Sequence, residues 1–218
     1  MATIHVPTGI EHLPGELTIP AHAQGIVVFA HGSGSSRFST RNQFVARVLE
    51  QRGLATLLID LLTPEEEELD RRTAHLRFDI PLLADRLVAI VDWLKRQPQT
   101  QGLPVGMFGA STGGGAALRA AAARPADIVA VVSRGGRPDL AGEALPRVTA
   151  PTLLLVGGDD TPVIAMNRDA MRQMRAPVSL EIVPGATHLF EEPGTLERVA
   201  ALAGDWFAQH LHVSARHA

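Results

Sequence analysis

The chain has 218 residues, a net charge of −3, a sequence pI near 6.3 and no cysteine. Its length suits a single domain, predicted over 1–218, that buries a sizeable core. The charge balance excludes a basic stripe for nucleic acid or a polybasic membrane patch, and the missing cysteine excludes disulfides, thiolate metal sites and a cysteine nucleophile. No apolar run approaches the roughly 18 residues of a membrane span, and residues 1–7 lack the layout of a signal peptide. We therefore expect a cytoplasmic monomer or homodimer.

Short apolar runs alternate with longer helical patterns, which predicts a largely parallel sheet with helices on both faces. The first two strands, 3–6 and 16–20, are predicted as an antiparallel hairpin around a turn at Pro14 and Gly15. The later strands are predicted at 25–30, 55–60, 105–109, 128–133, 151–156 and 179–183. Helices are predicted at 40–51, 78–96, 112–123, 162–174 and 196–211. The four consecutive glutamates at 65–68 are interpreted as a solvated loop or helix face.

A serine framed by glycines stands between a predicted strand and a predicted helix, in the pentapeptide Gly109-Ala110-Ser111-Thr112-Gly113. This G-x-S-x-G pattern is typical of a nucleophile elbow, where a sharp turn exposes the serine and the helix N-terminus points at charge forming above it. A pentapeptide of small residues is a modest signal alone, because a serine here could also simply cap the helix. The rest of the sequence has to supply its partners.

A serine hydroxyl needs a base to take its proton and a third group to hold that base. In a parallel sheet these partners come from strand ends, which gather at one edge. Asp159 and Asp160 follow the strand at 151–156, and His188 follows the strand at 179–183. The order Ser, Asp, His is that of α/β-hydrolases. On spacing alone either aspartate fits, and the other would cap the next helix.

The loop after the strand at 25–30 reads His31-Gly32-Ser33-Gly34. It lies where backbone donors for a tetrahedral oxyanion are expected, so the N–H groups of Ser33 and Thr112 are predicted as the oxyanion hole. His31 is predicted to brace this loop and not to act as a second base. The remaining histidines lack partners at metal-site spacing, so we expect neither a metal nor a cofactor.

At these residues the chain resembles the α/β-hydrolase superfamily, and more closely its dienelactone-hydrolase-like branch of small enzymes. The runs that carry the resemblance are 31–36, 109–113, 157–163 and 185–190. It implies the α/β-hydrolase fold without a large lid, although the segment 61–77 could cover the pocket in part. It also favours Asp160 over Asp159 as the acid. Dienelactone hydrolases proper use a cysteine where this chain has Ser111, so general carboxylic ester hydrolysis is the better interpretation.

Several side chains near these loops are candidates for substrate contact. Arg37 and Arg41 could bind a substrate carboxylate through their planar forks, and so could Arg134 and Arg137 after the strand at 128–133. The alternative for each is a solvated or ion-paired arginine. Apolar candidates, equally interpretable as core, are Phe38, Leu61, Leu62, Leu189 and Phe190.

The predicted function is cleavage of small or short-acyl carboxylic esters by Ser111, His188 and Asp160 through an acyl-enzyme intermediate. One alternative is a lactone or dienelactone hydrolase, which uses the same groups on a cyclic ester. An alternative of another class is a ligand-binding protein on the same fold that has lost turnover. The complete set of serine, aspartate and histidine favours catalysis, with a small-molecule ester as the only expected partner.

Overall fold

The computed structural model describes residues 2–211, in which eight strands form one sheet. The strand order is β1-β2-β4-β3-β5-β6-β7-β8. The strands are β1 (Ala2–Thr8), β2 (Glu11–Thr18), β3 (Ile26–Ala30), β4 (Ala55–Ile59), β5 (Val105–Ala110), β6 (Ile128–Arg134), β7 (Thr152–Gly157) and β8 (Val178–Val183). From β4 to β8 neighbouring strands are parallel, and β1 and β2 add an antiparallel pair at one edge. The predicted fold class is confirmed.

Helices cover both faces of this sheet. They are α1 (Thr40–Gln51), α2 (Pro64–Thr73), α3 (Ile80–Leu94), α4 (Thr112–Ala123), α5 (Thr161–Gln173) and α6 (Thr195–His210). Two 3₁₀ segments, Leu76–Phe78 and Pro138–Arg147, were not predicted. The second is two short turns joined at a kink at Gly142. Ser39 caps α1 through its side chain.

The two core layers are separated by the alternation of side chains along the buried strands. Met107 and Val131 face a layer that contains α3 and α4, whereas Phe108 and Val132 face a layer that contains α1 and α6. Because both faces are covered, the central strands read as continuous apolar runs in the sequence. Because β3, β5, β6, β7 and β8 run parallel, their carboxyl ends lie at the same edge of the sheet.

The opening hairpin turns earlier than predicted. The turn lies at Gly9 and Ile10, and Pro14 and Gly15 lie inside β2. Gly9 has φ +74°, a conformation that glycine adopts without strain. Pro14 has no N–H to donate to a neighbouring strand, but the pairing of β2 with β4 begins only at Gly15. The Pro14 carbonyl still accepts the N–H of Asp60. A Pro-Gly pair was therefore a misleading turn signal here.

The glutamate run belongs to α2, whose first turn carries Glu65, Glu66 and Glu67. Thr63 and Glu66 form a reciprocal capping box, and Pro64 occupies the first turn, where its missing N–H costs nothing. Negative charge there also complements the helix dipole. Between residues 2 and 211 no helix combines the length and apolar character needed to cross a bilayer.

Candidate active site

Ser111 forms the junction between β5 and α4, with φ +50° and ψ −122°. Such a conformation is strained for a residue with a side chain and persists only when its surroundings hold it. Its N–H donates to the carbonyl of Arg134 (3.2 Å), and its carbonyl accepts from the N–H groups of Gly114 and Arg137 (3.0 Å each). The segment after β6 thus holds the turn in place.

Close backbone approach explains the glycines around Ser111. A Cβ added to Gly113 would lie 2.2 Å from the carbonyl oxygen of Ala30, and one added to Gly109 would lie 2.5 Å from the Cα of Gly114. Neither neighbour can move without displacing β3 or α4. Helix α4 therefore leaves the sheet so tightly that side chains are excluded at both positions, as a nucleophile elbow requires.

His188 and Asp160 are in direct contact across the loops that follow β8 and β7. The distance from His188 Nδ1 to Asp160 Oδ2 is 2.6 Å, and the Asp160 side chain is 13% exposed. An ionised carboxylate accepts the Nδ1 proton, which leaves Nε2 of the ring as the free base. Of the two neighbouring aspartates, Asp160 contacts the histidine, as the resemblance implies, and Asp159 is exposed.

One short segment contacts both His188 and Ser111. Gly135 has φ +50°, and a Cβ there would approach the carbonyl oxygen of His188 to 3.1 Å and its ring to 3.5 Å. The carbonyl of Arg134, the residue before Gly135, accepts a hydrogen bond from the N–H of Ser111. The histidine therefore lies above the same backbone that fixes the serine.

The predicted oxyanion loop lies against the start of α4. The N–H of Ser33 donates to Oγ1 of Thr112 (2.9 Å), and a Cβ on Gly32 would come within 3.0 Å of the Cβ of Ser111. Both predicted donors are thus beside the serine. The Thr112 N–H belongs to the first helical turn, where α4 offers it no partner. The Ser33 N–H, in contrast, is engaged by the Thr112 hydroxyl in this structure.

His31 connects this loop to the residues after β4. Its Nε2 accepts the N–H of Leu61 (3.0 Å), so the ring proton lies on Nδ1 and is donated to the carbonyl of Gly32 (2.9 Å). The ring is almost fully buried and neutral in this arrangement. These contacts are those of a bracing residue.

An open cleft of about 550 Å³ adjoins the oxyanion loop. One wall is the loop with Phe38, and the opposite wall is the start of α2. Its lining residues are His31, Gly34, Ser35, Ser36, Phe38, Ser39, Asp60, Leu62, Thr63, Pro64, Glu67 and Arg71. The sequence left the glutamate run open as a loop or a helix face, and the Thr63-Pro64 start followed by Glu66 is the signal that favours the helix.

The apolar substrate candidates divide into exposed and core residues. Phe38 lines the cleft and is 56% exposed, and Leu189, next to His188, is 40% exposed. Leu61 and Phe190 are fully buried in the core, the alternative that the sequence left open for both. The N–H of Leu61 donates to His31, and its carbonyl accepts from Arg86. Its neighbour Leu62 lines the cleft instead.

Arg37 and Arg41 are both ion-paired within the chain. Arg37 binds Asp60 through its guanidinium and through its N–H (2.6 Å for the latter), and its guanidinium carbon lies 4.1 Å from the centre of the Phe38 ring. The structure therefore gives Arg37 a carboxylate partner of its own. Arg41 contacts Glu191 at 3.2 Å, beyond His188 in the chain.

Helix α2 is anchored by two ion pairs, each of which has one buried partner. Arg86 of α3 donates to both carboxylate oxygens of Glu66 (2.6 and 2.7 Å) and to the carbonyl of Leu61. Burial raises the pKa of Glu66, but the hydrogen bonds from Arg86 and Thr63 outweigh it and leave that pKa below its usual value. Burial also raises the pKa of Asp70, but the hydrogen bonds from Arg77 and Leu76 outweigh it and leave that pKa below its usual value. Among residues 2–211 no group of three or more His, Asp or Glu side chains is arranged to hold a metal.

Residues 13–212 match the sequence pattern of the dienelactone hydrolase family. The chain belongs to that family. A dienelactone hydrolase from Anabaena variabilis has 64% sequence identity and a TM-score of 0.95, covering 97% of this chain and 98% of that one. This chain thus has the α/β-hydrolase fold. Est1E from Butyrivibrio proteoclasticus, at 16% identity and TM-score 0.80 over 96% and 98% of the two chains, shares the fold.

Curated relatives of this family member are longer proteins. Two from Mycobacterium tuberculosis strains, both named "Putative phosphoribosyl transferase", are 59% identical over 208 residues. The match covers 95% of this chain and 46% of each relative, so the chain spans about half the length of the curated relatives it matches. Their name describes those longer proteins.

Proposed function

We propose that this family member is a serine hydrolase that cleaves small or short-acyl carboxylic esters through an acyl-enzyme intermediate. The proposal rests chiefly on the contact between His188 and Asp160, formed beside a serine held in an elbow conformation. A histidine oriented by a carboxylate, next to a serine at a strand end, is the arrangement that activates a hydroxyl.

In the proposed reaction, the hydroxyl oxygen of Ser111 attacks the ester carbonyl while Nε2 of His188 takes its proton. The tetrahedral intermediate collapses as His188 returns that proton to the leaving alcohol, which leaves an acyl group on Ser111. His188 then removes a proton from water as the water attacks the acyl carbonyl. It returns that proton to the serine oxygen as the second tetrahedral intermediate collapses, which releases the acid and the free Ser111. Throughout, Asp160 keeps the proton on Nδ1 and stabilises the imidazolium.

The oxyanion of that intermediate would be bound by the N–H groups of Thr112 and Ser33. The bond from Ser33 to the Thr112 hydroxyl supports this assignment, because it keeps the donor beside Ser111 before substrate arrives. On binding, the Ser33 N–H exchanges a neutral hydroxyl for a negatively charged oxygen, which is the stronger acceptor.

The proposal is tested by mass spectrometry after treatment with a fluorophosphonate, which labels activated serines. We expect stoichiometric labelling of Ser111 in the wild type and none in Ser111→Ala or His188→Ala. Turnover of p-nitrophenyl acetate should fall by about 10⁴-fold or more in Ser111→Ala. A folded wild type without labelling would favour a ligand-binding protein. A Ser111→Ala variant that kept a tenth of the turnover would rule out the nucleophile.

Lactone hydrolysis is the second candidate, because the Anabaena relative of 64% identity is named a dienelactone hydrolase. The same residues would open a cyclic ester, with the alcohol remaining attached to the acyl group. Steady-state rates on a linear ester and on a lactone of equal carbon number separate the two candidates. A kcat/KM at least about tenfold higher for the lactone would reassign the substrate class and leave the roles of Ser111 and His188 intact.

A further inference from the structure

Asn167 is a buried amide on helix α5, and only half of that amide is paired. The residue is fully buried, and its Nδ2 donates to the carbonyl oxygens of Gly136 (3.0 Å) and Val163 (2.8 Å). Both neighbours are acceptors, so the amide nitrogen has to face them. Oδ1 is left buried without a hydrogen-bond partner among residues 2–211. A leucine of similar volume would leave no such acceptor unpaired, so packing alone does not account for the amide.

The bond to Gly136 holds a peptide group that in turn holds Ser111. The carbonyl of Gly136 and the N–H of Arg137 belong to the same planar peptide. That carbonyl accepts from Asn167, and that N–H donates to the carbonyl of Ser111 (3.0 Å). Asn167 therefore fixes, through a single rigid group, a donor that binds the backbone of the serine. Hydrogen bonds at the two ends of one peptide also strengthen each other, because each polarises the group.

A neighbouring peptide holds the other side of Ser111 in the same way, with a backbone group in place of the amide. The carbonyl of Arg134 accepts the N–H of Ser111 (3.2 Å). The N–H of Gly135, in the same peptide as that carbonyl, donates to the carbonyl of Leu155 (2.7 Å). Strand β7 thus anchors one peptide, and Asn167 of α5 anchors the other. The strained conformation of Ser111 needs surroundings that hold it, and these two peptides are part of them.

The proposed base and acid adjoin the same helix and the same segment. Asp160 is the residue from which α5 starts, about two helical turns before Asn167, and its side chain contacts His188. A Cβ on Gly135 would lie 3.5 Å from the ring of His188, so the ring packs against the segment that Asn167 binds. The amide thus connects the helix that carries the acid to the segment that fixes the serine.

We propose that Asn167 is a positioning residue, which fixes the peptide that holds Ser111 and thereby sets the place of the Ser111 hydroxyl relative to His188. This inference rests on the proposed function. Asn167 acts through the peptide that joins Gly136 to Arg137, and not by contact with the substrate. Without the amide, that peptide is free to rotate at its glycine, and the serine oxygen loses its alignment with Nε2 of the base.

Amide hydrogen exchange, measured residue by residue by NMR, tests the hold on the turn. In Asn167→Leu we expect the Arg137 N–H to exchange at least about tenfold faster than in wild type, because its peptide has lost its anchor. The Gly135 N–H, which is bound by Leu155, should keep its rate. An Arg137 N–H that exchanged at the wild-type rate would overturn the proposal.

Steady-state kinetics on p-nitrophenyl acetate test the consequence for catalysis. We expect Asn167→Leu to lower kcat by about 10- to 100-fold and to leave KM within about threefold, as a misplaced nucleophile would. Thr100→Val is the matched control, since it also removes a buried side-chain bond to a backbone carbonyl, that of Leu94, before β5 begins. Both variants should melt below wild type, but Thr100→Val should keep its kcat. A lowered melting temperature with a wild-type kcat in Asn167→Leu would reduce the amide to a structural role.

Asn167→Asp has the same shape and tests the hydrogen bond itself. As a carboxylate it would place negative charge against two carbonyl oxygens, whereas the neutral acid has an O–H to donate to Gly136. We expect its kcat to exceed that of Asn167→Leu at low pH, and to approach it as the pH rises and the acid ionises. A kcat no higher than that of Asn167→Leu even in acid would contradict the proposal.

These outcomes separate the positioning role from the proposed function. Fluorophosphonate labelling of Ser111 in wild type, with an unchanged kcat in Asn167→Leu, would overturn the positioning role and leave the serine hydrolase. Faster exchange at Arg137 in Asn167→Leu, without labelling of the wild type, would support the hold on the turn and reject the hydrolase. If Asn167→Leu does not fold, Asn167→Ala removes the amide with a smaller side chain and decides by the same exchange and kinetic measurements.

Discussion

At the scale of single residues, Ser111 has the backbone conformation that is hardest to reconcile with its side chain. Its φ of +50° and ψ of −122° lie where glycine is at ease and a residue with Cβ is not. The contacts of its N–H and carbonyl with the segment after β6 hold it there. The backbone strain at Ser111 therefore lowers the stability of the folded chain.

We therefore expect Ser111→Gly to be more stable than Ser111→Ala, by about 1 kcal/mol, because glycine relieves the strain that alanine keeps. Chemical denaturation of the two variants measures the difference. Ser179 in β8 supplies the control, since in an extended strand Ser179→Gly should be the less stable of its pair. Equal stabilities of the two Ser111 variants would mean that the elbow stores no strain.

The two neighbouring aspartates offer a matched pair of variants. Asp160→Asn removes the charge that orients His188, so kcat for an ester substrate should fall by about 10³- to 10⁴-fold. Asp159→Asn changes an exposed side chain and should stay within about threefold of wild type. Steady-state kinetics on both decides, and the reverse pattern would transfer the role to Asp159.

The residue types and their order along the chain were enough to propose Ser111 and His188, whereas the orientation of single side chains was not. Leu61 and Leu62 are equally apolar in the sequence, yet one is in the core and the other lines the cleft. Arg37 and Arg134 likewise look alike, but Asp60 pairs with only the first. Such differences depend on which way a strand end faces and on partners that are distant in the chain.

At the scale of elements, α2 and its ion pairs form the structure next to the cleft that is most sensitive to acid. Glu66 and Asp70 have pKa values below their usual range, so their contribution to stability is complete above the unfolded values near 4. That contribution is lost as the pH falls through the lowered native values. The wall of the cleft formed by α2 is therefore expected to loosen in acid.

We expect the melting temperature of Glu66→Gln to be lower than that of wild type at pH 7, with the difference shrinking toward pH 3 as Glu66 becomes protonated. Glu65→Gln, which changes an exposed glutamate of the same turn, should follow wild type at every pH. Differential scanning fluorimetry across this range is sufficient. A difference that stayed constant with pH would mean that the Glu66 charge does not stabilise the helix.

Strands and long helices were predictable because their apolar period is strong, and α4 has the predicted bounds. The errors concern short elements. The Pro14-Gly15 pair predicts a hairpin turn, whereas the turn lies at Gly9 and Ile10. Helix α2 and the 3₁₀ segment at Pro138–Arg147 bury few or scattered side chains, so they leave little periodicity to detect.

At the scale of the whole molecule, the sheet is continuous through all eight described strands. We accordingly expect the chain to unfold as one domain, in a single calorimetric transition whose calorimetric and van't Hoff enthalpies agree. Scanning calorimetry at two heating rates checks this and tests reversibility. Two resolved transitions would divide the chain into separate units, contrary to the single domain predicted from its sequence.

The proposed catalytic groups lie on three separate strand ends, and their order along the chain has a consequence for biosynthesis. As a ribosome makes the protein from its N-terminus, Ser111 emerges well before Asp160 and His188. Once β6 and the segment after it have emerged, the elbow can form with no base above it. A nascent chain would therefore remain hydrolytically silent until β8 has been synthesised and has paired with β7.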